Sequence, residues 1–214
     1  MMKKATLFLA VLLVFSNILF AKTSKYFNYS GSDGEDTVIK FKLGEVNIVQ
    51  SGSYTKLQIP EVGTTSEVGM PEFPILSTFY QIEPDKSYSV DYIVIRSHKI
   101  QNIKIFPYQD TENRSETPDV KIINEAFYNS NREFPQNNLI VSEPKIMRGI
   151  QLLNVSFIPF KYFAKTQELE IYDEVEINIQ EFGSRENPNF KQMPRSRAFD
   201  KLYEGLVVNY TPSD

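Results

Sequence analysis

From Glu168 to Ile179 apolar and polar residues alternate, with Leu169, Ile171, Val175, Ile177 and Ile179 on odd positions. Glu168, Glu170, Glu174, Glu176 and Asn178 take the even ones. A period of two turns one face to a core and the other to water, so this run is predicted as a strand of an antiparallel sheet. Upstream, Arg148 to Tyr162 is largely apolar. The stretch between Pro159 and Glu168 reads as a connection, which predicts one long hairpin.

Other strands follow from the same pattern. Thr37–Leu43, Val46–Val49, Tyr54–Ile59, Ile75–Ile82, Tyr88–Arg96, Leu139–Val141 and Ile146–Pro159 are predicted, with Ile103, Ile105 and Phe106 in a further short one. Tyr88–Arg96 is expected to be partly buried on both faces. Residues 22–36 are polar and read as a flexible leader that lays Tyr26, Phe27 and Tyr29 on the body. Residues 183–214 read as a linker and short helical tail, with Ser196 as N-cap of a helix through Tyr203. Residues 37–182 are therefore expected to form an all-β, antiparallel β-sandwich, followed by a short C-terminal helix.

The chain has no cysteine, so disulfides, thiolate metal sites and a cysteine nucleophile are excluded. At its start, Lys3 and Lys4 precede an apolar run from Ala5 to Phe15, and Ala21 marks a small-residue cleavage edge. Residues 1–21 are predicted as a secretory signal peptide, with export to the periplasm, cell surface or medium and no stable membrane insertion after cleavage. Its removal takes away two lysines and no acid, moving the net charge from −4 to −6. That acidity argues against a nucleic-acid partner.

Little in the sequence points to catalysis. His98 is the only histidine and sits at a strand end without nucleophile-elbow glycines. No glycine-rich loop precedes a helix. The carboxylates of Glu168, Glu170, Glu174 and Glu176 share one strand face and read as a solvated charged surface rather than a calcium or glycosidase site. No cofactor or metal is expected. Residues 107–138, by contrast, form a long polar excursion, and such an excursion inside a small domain is usually functional or disordered.

Several motifs occur in order along the chain: Gly69-Met70-Pro71-Glu72-Phe73-Pro74, then Tyr128 to Pro135, then Arg148-Gly149. Pro159 to Tyr162 with its alternating strand follows, then Phe199 to Tyr203, then Asn209-Tyr210. From about Val38 to Tyr210 the chain resembles the propeptide domain of gingipain-type cysteine peptidases. The resemblance implies a non-enzymatic β-sandwich that assists folding of a caspase-like peptidase specific for Arg or Lys, blocks its active site and is removed by proteolysis. That peptidase would be the partner, in cis or in trans. An acidic specificity pocket takes a basic side chain through charge-assisted hydrogen bonds. Arg132 is the first candidate for that side chain, with Phe134 and Pro135 as loop anchors, and Arg114 is the second. Arg148, at a strand start, reads as structural. The family's propeptide usually ends on a basic residue soon after the Asn-Tyr step. Thr211-Pro212-Ser213-Asp214 stand there instead, leaving Arg195 and Arg197 as candidate processing sites. The competing expectations are a freestanding binding or adhesion module, for carbohydrate, and a trans-acting peptidase inhibitor.

Overall fold

A computed structural model describes residues 25–33, 36–110, 122–184, 186–187, 189–191, 193–194 and 196–212. The alternating run becomes β13 (Glu168–Phe182), the centre of the larger of two antiparallel sheets. Along one edge it pairs with β2 (Asp36–Lys42) and, further along, with β12 (Phe160–Phe163). Along its other edge it pairs with β7 (Ser87–Ile100). β1 (Phe27–Asp33) lies outside β2, and the two-residue β8 (Glu133–Phe134) lies outside β12.

The second sheet is built on β6 (Pro74–Ile82) and β11 (Ile150–Phe157). It is flanked by the short β5 (Gly63–Thr64), β9 (Leu139–Val141) and β10 (Lys145–Met147). A hairpin of β3 (Asn47–Ser51) and β4 (Tyr54–Gln58) stands apart, tied to the body where Thr55 N–H donates to Lys104 O (2.7 Å). Two short helices complete the fold, α1 (Glu125–Tyr128) and α2 (Arg197–Leu206). The architecture is the expected all-β sandwich with a C-terminal helix.

Two apolar clusters hold it together. In the first, Ile39, Phe41, Val175, Ile177 and Ile179 of the larger sheet face Leu76, Tyr80, Leu153, Val155 and Phe157 of the smaller. Phe157 is the hub, with ring centroids 5.1 Å from Phe41 and 5.3 Å from Tyr92. In the second, Phe73, Phe127, Phe134, Phe160, Tyr162, Leu169 and Ile171 pack together. Each fully buried large side chain contributes about 1.5–3 kcal/mol. β13 serves both clusters: Leu169 and Ile171 lie in the second, while Tyr172 on the opposite face and, past a register shift around Asp173, Val175, Ile177 and Ile179 lie in the first.

Five expectations need correction. The leader is not loose throughout: residues 27–33 form β1, and Tyr26 and Phe27 are buried. The long hairpin does not exist, because the chain changes sheets at Pro159, whose missing N–H ends the β11 ladder. Only β12 and β13 form the hairpin. β7 is not buried on both faces; it is an edge strand, and Ile93 and Ile95 are more than half exposed. Ser196 occupies the N-cap position of α2 but makes no side-chain cap bond. Ile103 to Phe106 form an isolated bridge at Ile105 rather than a strand. The signal-peptide reading falls outside the described residues, and among these no helix is long and apolar enough to cross a membrane.

Candidate functional site

The polar excursion is held at its base. Gln109 is buried; its Nε2 donates to Ile122 O (2.8 Å) and its Oε1 accepts from Ile122 N–H (3.0 Å). These bonds tie Gln109 to Ile122. The Gly69-Met70-Pro71 loop braces the same place: Gly69 N–H donates to Tyr108 O (2.9 Å), and Asn124 N–H donates to Gly69 O (3.0 Å). Gly69 has φ +78°, and a Cβ there would lie 2.9 Å from Asn124 N, so only glycine fits without a shift. Arg114 lies outside the described residues.

Past this base, Asn124 caps α1 through Oδ1, which accepts from Phe127 N–H (3.0 Å). Phe127 is buried in the second cluster. The chain then presents Arg132 to solvent, with its N–H donating to Ser130 Oγ (3.2 Å). Among the described residues no carboxylate pairs with the Arg132 guanidinium, while neighbouring Glu133 is taken by Lys161 (3.0 Å). Phe134 and Pro135 are buried directly after it. The Phe134 ring lies 6.0 Å from both Phe73 and Phe127, and the Phe134–Pro135 peptide is cis. Arg132 thus stands exposed and without a carboxylate partner, its Nε donating only to Ser130 Oγ (3.5 Å), on a mount buried at Phe134 and Pro135. Beside it runs an open groove of ≈ 540 Å³, lined by Met70, Ile75, Phe127, Pro135 and Ile140 among others.

The other singled-out residues are placed differently. Arg148 and Gly149 form the two-residue turn between β10 and β11, both with positive φ (41° and 85°), as a tight hairpin turn of this length requires. The Arg148 guanidinium sits 4.3 Å over the Phe199 ring, so the residue is structural. Arg197 is exposed in the first turn of α2, and Arg195 lies outside the described residues. His98 Nδ1 lies 2.9 Å from Asp173 Oδ2, but the Ser97 hydroxyl donates to Glu170 (3.0 Å), and no triad forms.

The acidic face of β13 is answered by cations on neighbouring strands. Arg96 and Lys42 reach Glu174 (3.1 and 3.5 Å), Lys40 reaches Glu176 (4.0 Å), and Lys99 reaches Glu168 (2.8 Å). Hydrogen bonds from Lys99 and Gln101 hold the Glu168 carboxyl below its ordinary value. This face is a cross-strand charge ladder.

The tail returns to the body. Tyr203 and Val207 of the C-terminal segment are buried against Leu152. Asn209 imitates a strand residue with its side chain: Oδ1 accepts from Gln81 N–H and Nδ2 donates to Gln81 O, both at 2.8 Å. Sequence reasoning left this docking unseen, although the Asn209-Tyr210 pair marks it.

The Propeptide_C25 family model matches residues 35–212. Gingipain R2 of Porphyromonas gingivalis (strain ATCC BAA-308 / W83) is 24% identical over 185 residues, covering 82% of this chain and 25% of that protein. Gingipain R1 of Porphyromonas gingivalis is 26% identical over 148 residues, covering 69% of this chain and 15% of that protein. The chain therefore spans a quarter or less of these relatives. Among solved structures, the complex of Porphyromonas gingivalis RgpB pro- and mature domains matches with a TM-score of 0.69 at 19% identity. That match covers 86% of this chain and 97% of the other. A structure bearing on the zymogenic latency of gingipain K matches at 0.59 and 18% identity, covering 73% and 92%.

Proposed function

Because the chain belongs to the Propeptide_C25 family of gingipain-type propeptides, we propose that it keeps a caspase-like, Arg/Lys-specific cysteine peptidase inactive and assists its folding. On this reading it is exported by the signal peptide over residues 1–21 and removed by proteolysis at Arg195 or Arg197. The observation that carries the reading is the family match over 35–212, which takes in every strand of the sandwich except β1, together with the docked tail. The relatives named above supply the partner class, since one matching structure is a complex of pro- and mature domains.

The geometry favours Arg132 as the inhibitory side chain. A guanidinium already paired would have to break that pair before entering an acidic pocket. Arg132 is exposed without a carboxylate, and its mount is fixed by Phe134 and Pro135. Desolvated Arg–carboxylate contacts of this kind are strong and directional. Arg114 is the alternative, in a segment whose base is clamped by Gln109.

The test is inhibition of the mature peptidase of Gingipain R2 by the purified chain. Arg132→Ala is expected to weaken inhibition at least tenfold, about 1.4 kcal/mol, with an unchanged melting temperature. If Arg114→Ala does this and Arg132→Ala does not, the role passes to Arg114. A wild-type chain that never slows the peptidase would sink the reading.

A further inference from the structure

Among the described residues, one long strand edge is unpaired. β7 runs from Ser87 to Ile100 and, among the described residues, pairs with no strand except β13. Exposed edges are normally guarded by charge, bulges or proline, because their unpaired N–H and C=O groups recruit further strands. β7 is guarded at one end only. From Arg96 to Ile100 it carries Arg96, His98 and Lys99, next to a register shift. From Val90 to Ile95 it carries one charge, Asp91, whose carboxylate is engaged sideways by Asn178 Nδ2 (3.0 Å). Within that unguarded half Ile93 and Ile95 are 56% and 54% exposed.

The surroundings say where a partner would stand. Val90, Asp91 and Tyr92 line a groove of ≈ 330 Å³ whose opposite wall is Gln136 to Leu139. Gln136 and Asn137 also line the groove beside Arg132. The open edge and the Arg132 mount are thus parts of one continuous surface. Ile140 on β9 (47% exposed) belongs to the same surface. A body seated on Arg132 has the unguarded edge of β7 beside it.

We propose that the half-strand Val90–Ile95 is a docking edge on which an extended segment of the partner peptidase adds as a further strand of the larger sheet. Main-chain hydrogen bonds would supply the attachment, and Ile93 and Ile95 the apolar contact. This rests on the prodomain reading above. It divides the work of inhibition: the edge holds the peptidase, and the basic side chain fills its pocket.

The test uses the full chain with the mature peptidase of Gingipain R2 as probe. Hydrogen–deuterium exchange is followed across residues 87–100 in the free chain and in the complex. Amides within Val90–Ile95 are expected to slow only in the complex. The double variant Ile93→Asp/Ile95→Asp, at solvent-exposed positions, is expected to raise the inhibition constant at least tenfold with unchanged melting. If the wild-type chain inhibits while these amides exchange as before and the double variant inhibits normally, the docking edge is overturned and the prodomain reading stands. Slowed exchange in the free chain as its concentration rises would assign the edge to a second copy and also overturn the proposal. Absence of any inhibition would remove the prodomain reading and this inference together.

Discussion

Asn138 carries the change of sheet. It is 1% exposed, and its Nδ2 donates to Ile158 O (2.6 Å) and Phe160 O (2.9 Å) while its own carbonyl accepts from Ile158 N–H (2.8 Å). Pro159, which has no N–H, lies between those two carbonyls at the change of sheet, and the Asn138 amide gives both a donor there. Asn138→Ala leaves both carbonyls buried without the side-chain donor, at about 1–3 kcal/mol for each group. The variant should therefore unfold at a distinctly lower urea midpoint with an unchanged slope. A loss under about 0.5 kcal/mol, no more than a neutral surface change, would show that the crossing does not depend on this amide.

Among the elements, α2 decides how the tail is held. Tyr203 buries its ring against Leu152 and donates its hydroxyl to Met147 O (2.9 Å), and Tyr210 donates to Asp200 Oδ1 (2.7 Å). Removing a buried aromatic costs about 3–5 kcal/mol where the site cannot collapse. Here the loss falls on one helix at the surface of the sandwich, so local opening precedes global unfolding. Tyr203→Ala should speed tryptic cleavage at Arg197 at least tenfold while the sandwich stays intact by mass. Equal cleavage rates in the two proteins would mean that α2 does not shield Arg197. The helix itself was legible in the sequence, but its docking was not. The contacts run to Leu152 and Gln81, residues that no local pattern connects to the tail.

At the scale of the whole molecule, the sheets are tied by a polar bridge as well as by their cores. Tyr80 of β6 donates to Glu181 Oε1 of β13 (3.2 Å), and Glu83 N–H donates to Glu181 Oε2 (2.8 Å). Burial pushes the Glu181 carboxyl above its ordinary value, and the two hydrogen bonds offset this only in part. The folded state thus binds this proton more tightly than the unfolded chain. The stability it contributes is complete below the unfolded value near 4.5 and is lost as pH rises through the folded value. Glu181→Gln should match wild type at low pH and exceed its melting temperature at pH 7. A variant less stable at pH 7 would show that the carboxylate is favoured there.

The sequence's legibility had a clear limit. Strands with strict alternation, such as β13 and β6, were readable because one face of each meets the core. β1 was missed because Ser30 and Gly31 form a bulge that breaks the period, and β7 was misjudged because its exposed isoleucines imitate a second buried face. In the candidate site, Phe134 and Pro135 announced an anchored loop. The groove joining Arg132 to the edge of β7 depends on Gln136 and Asn137 lying against Val90 and Tyr92, a proximity that only the folded chain creates.

The central position of β13 also sets an order in time. β2 and β7 meet the larger sheet only through it: Phe41 pairs with Val175, and Val90 with Ile179. As the chain is synthesised, the first two strands of that sheet form a hairpin with no centre to join, and β7 has no partner at all. Pairing over such long separations is slow to close. Until residues 168–182 have been made, the larger sheet cannot assemble, so β1, β2 and β7 leave the ribosome well before that sheet can begin to close.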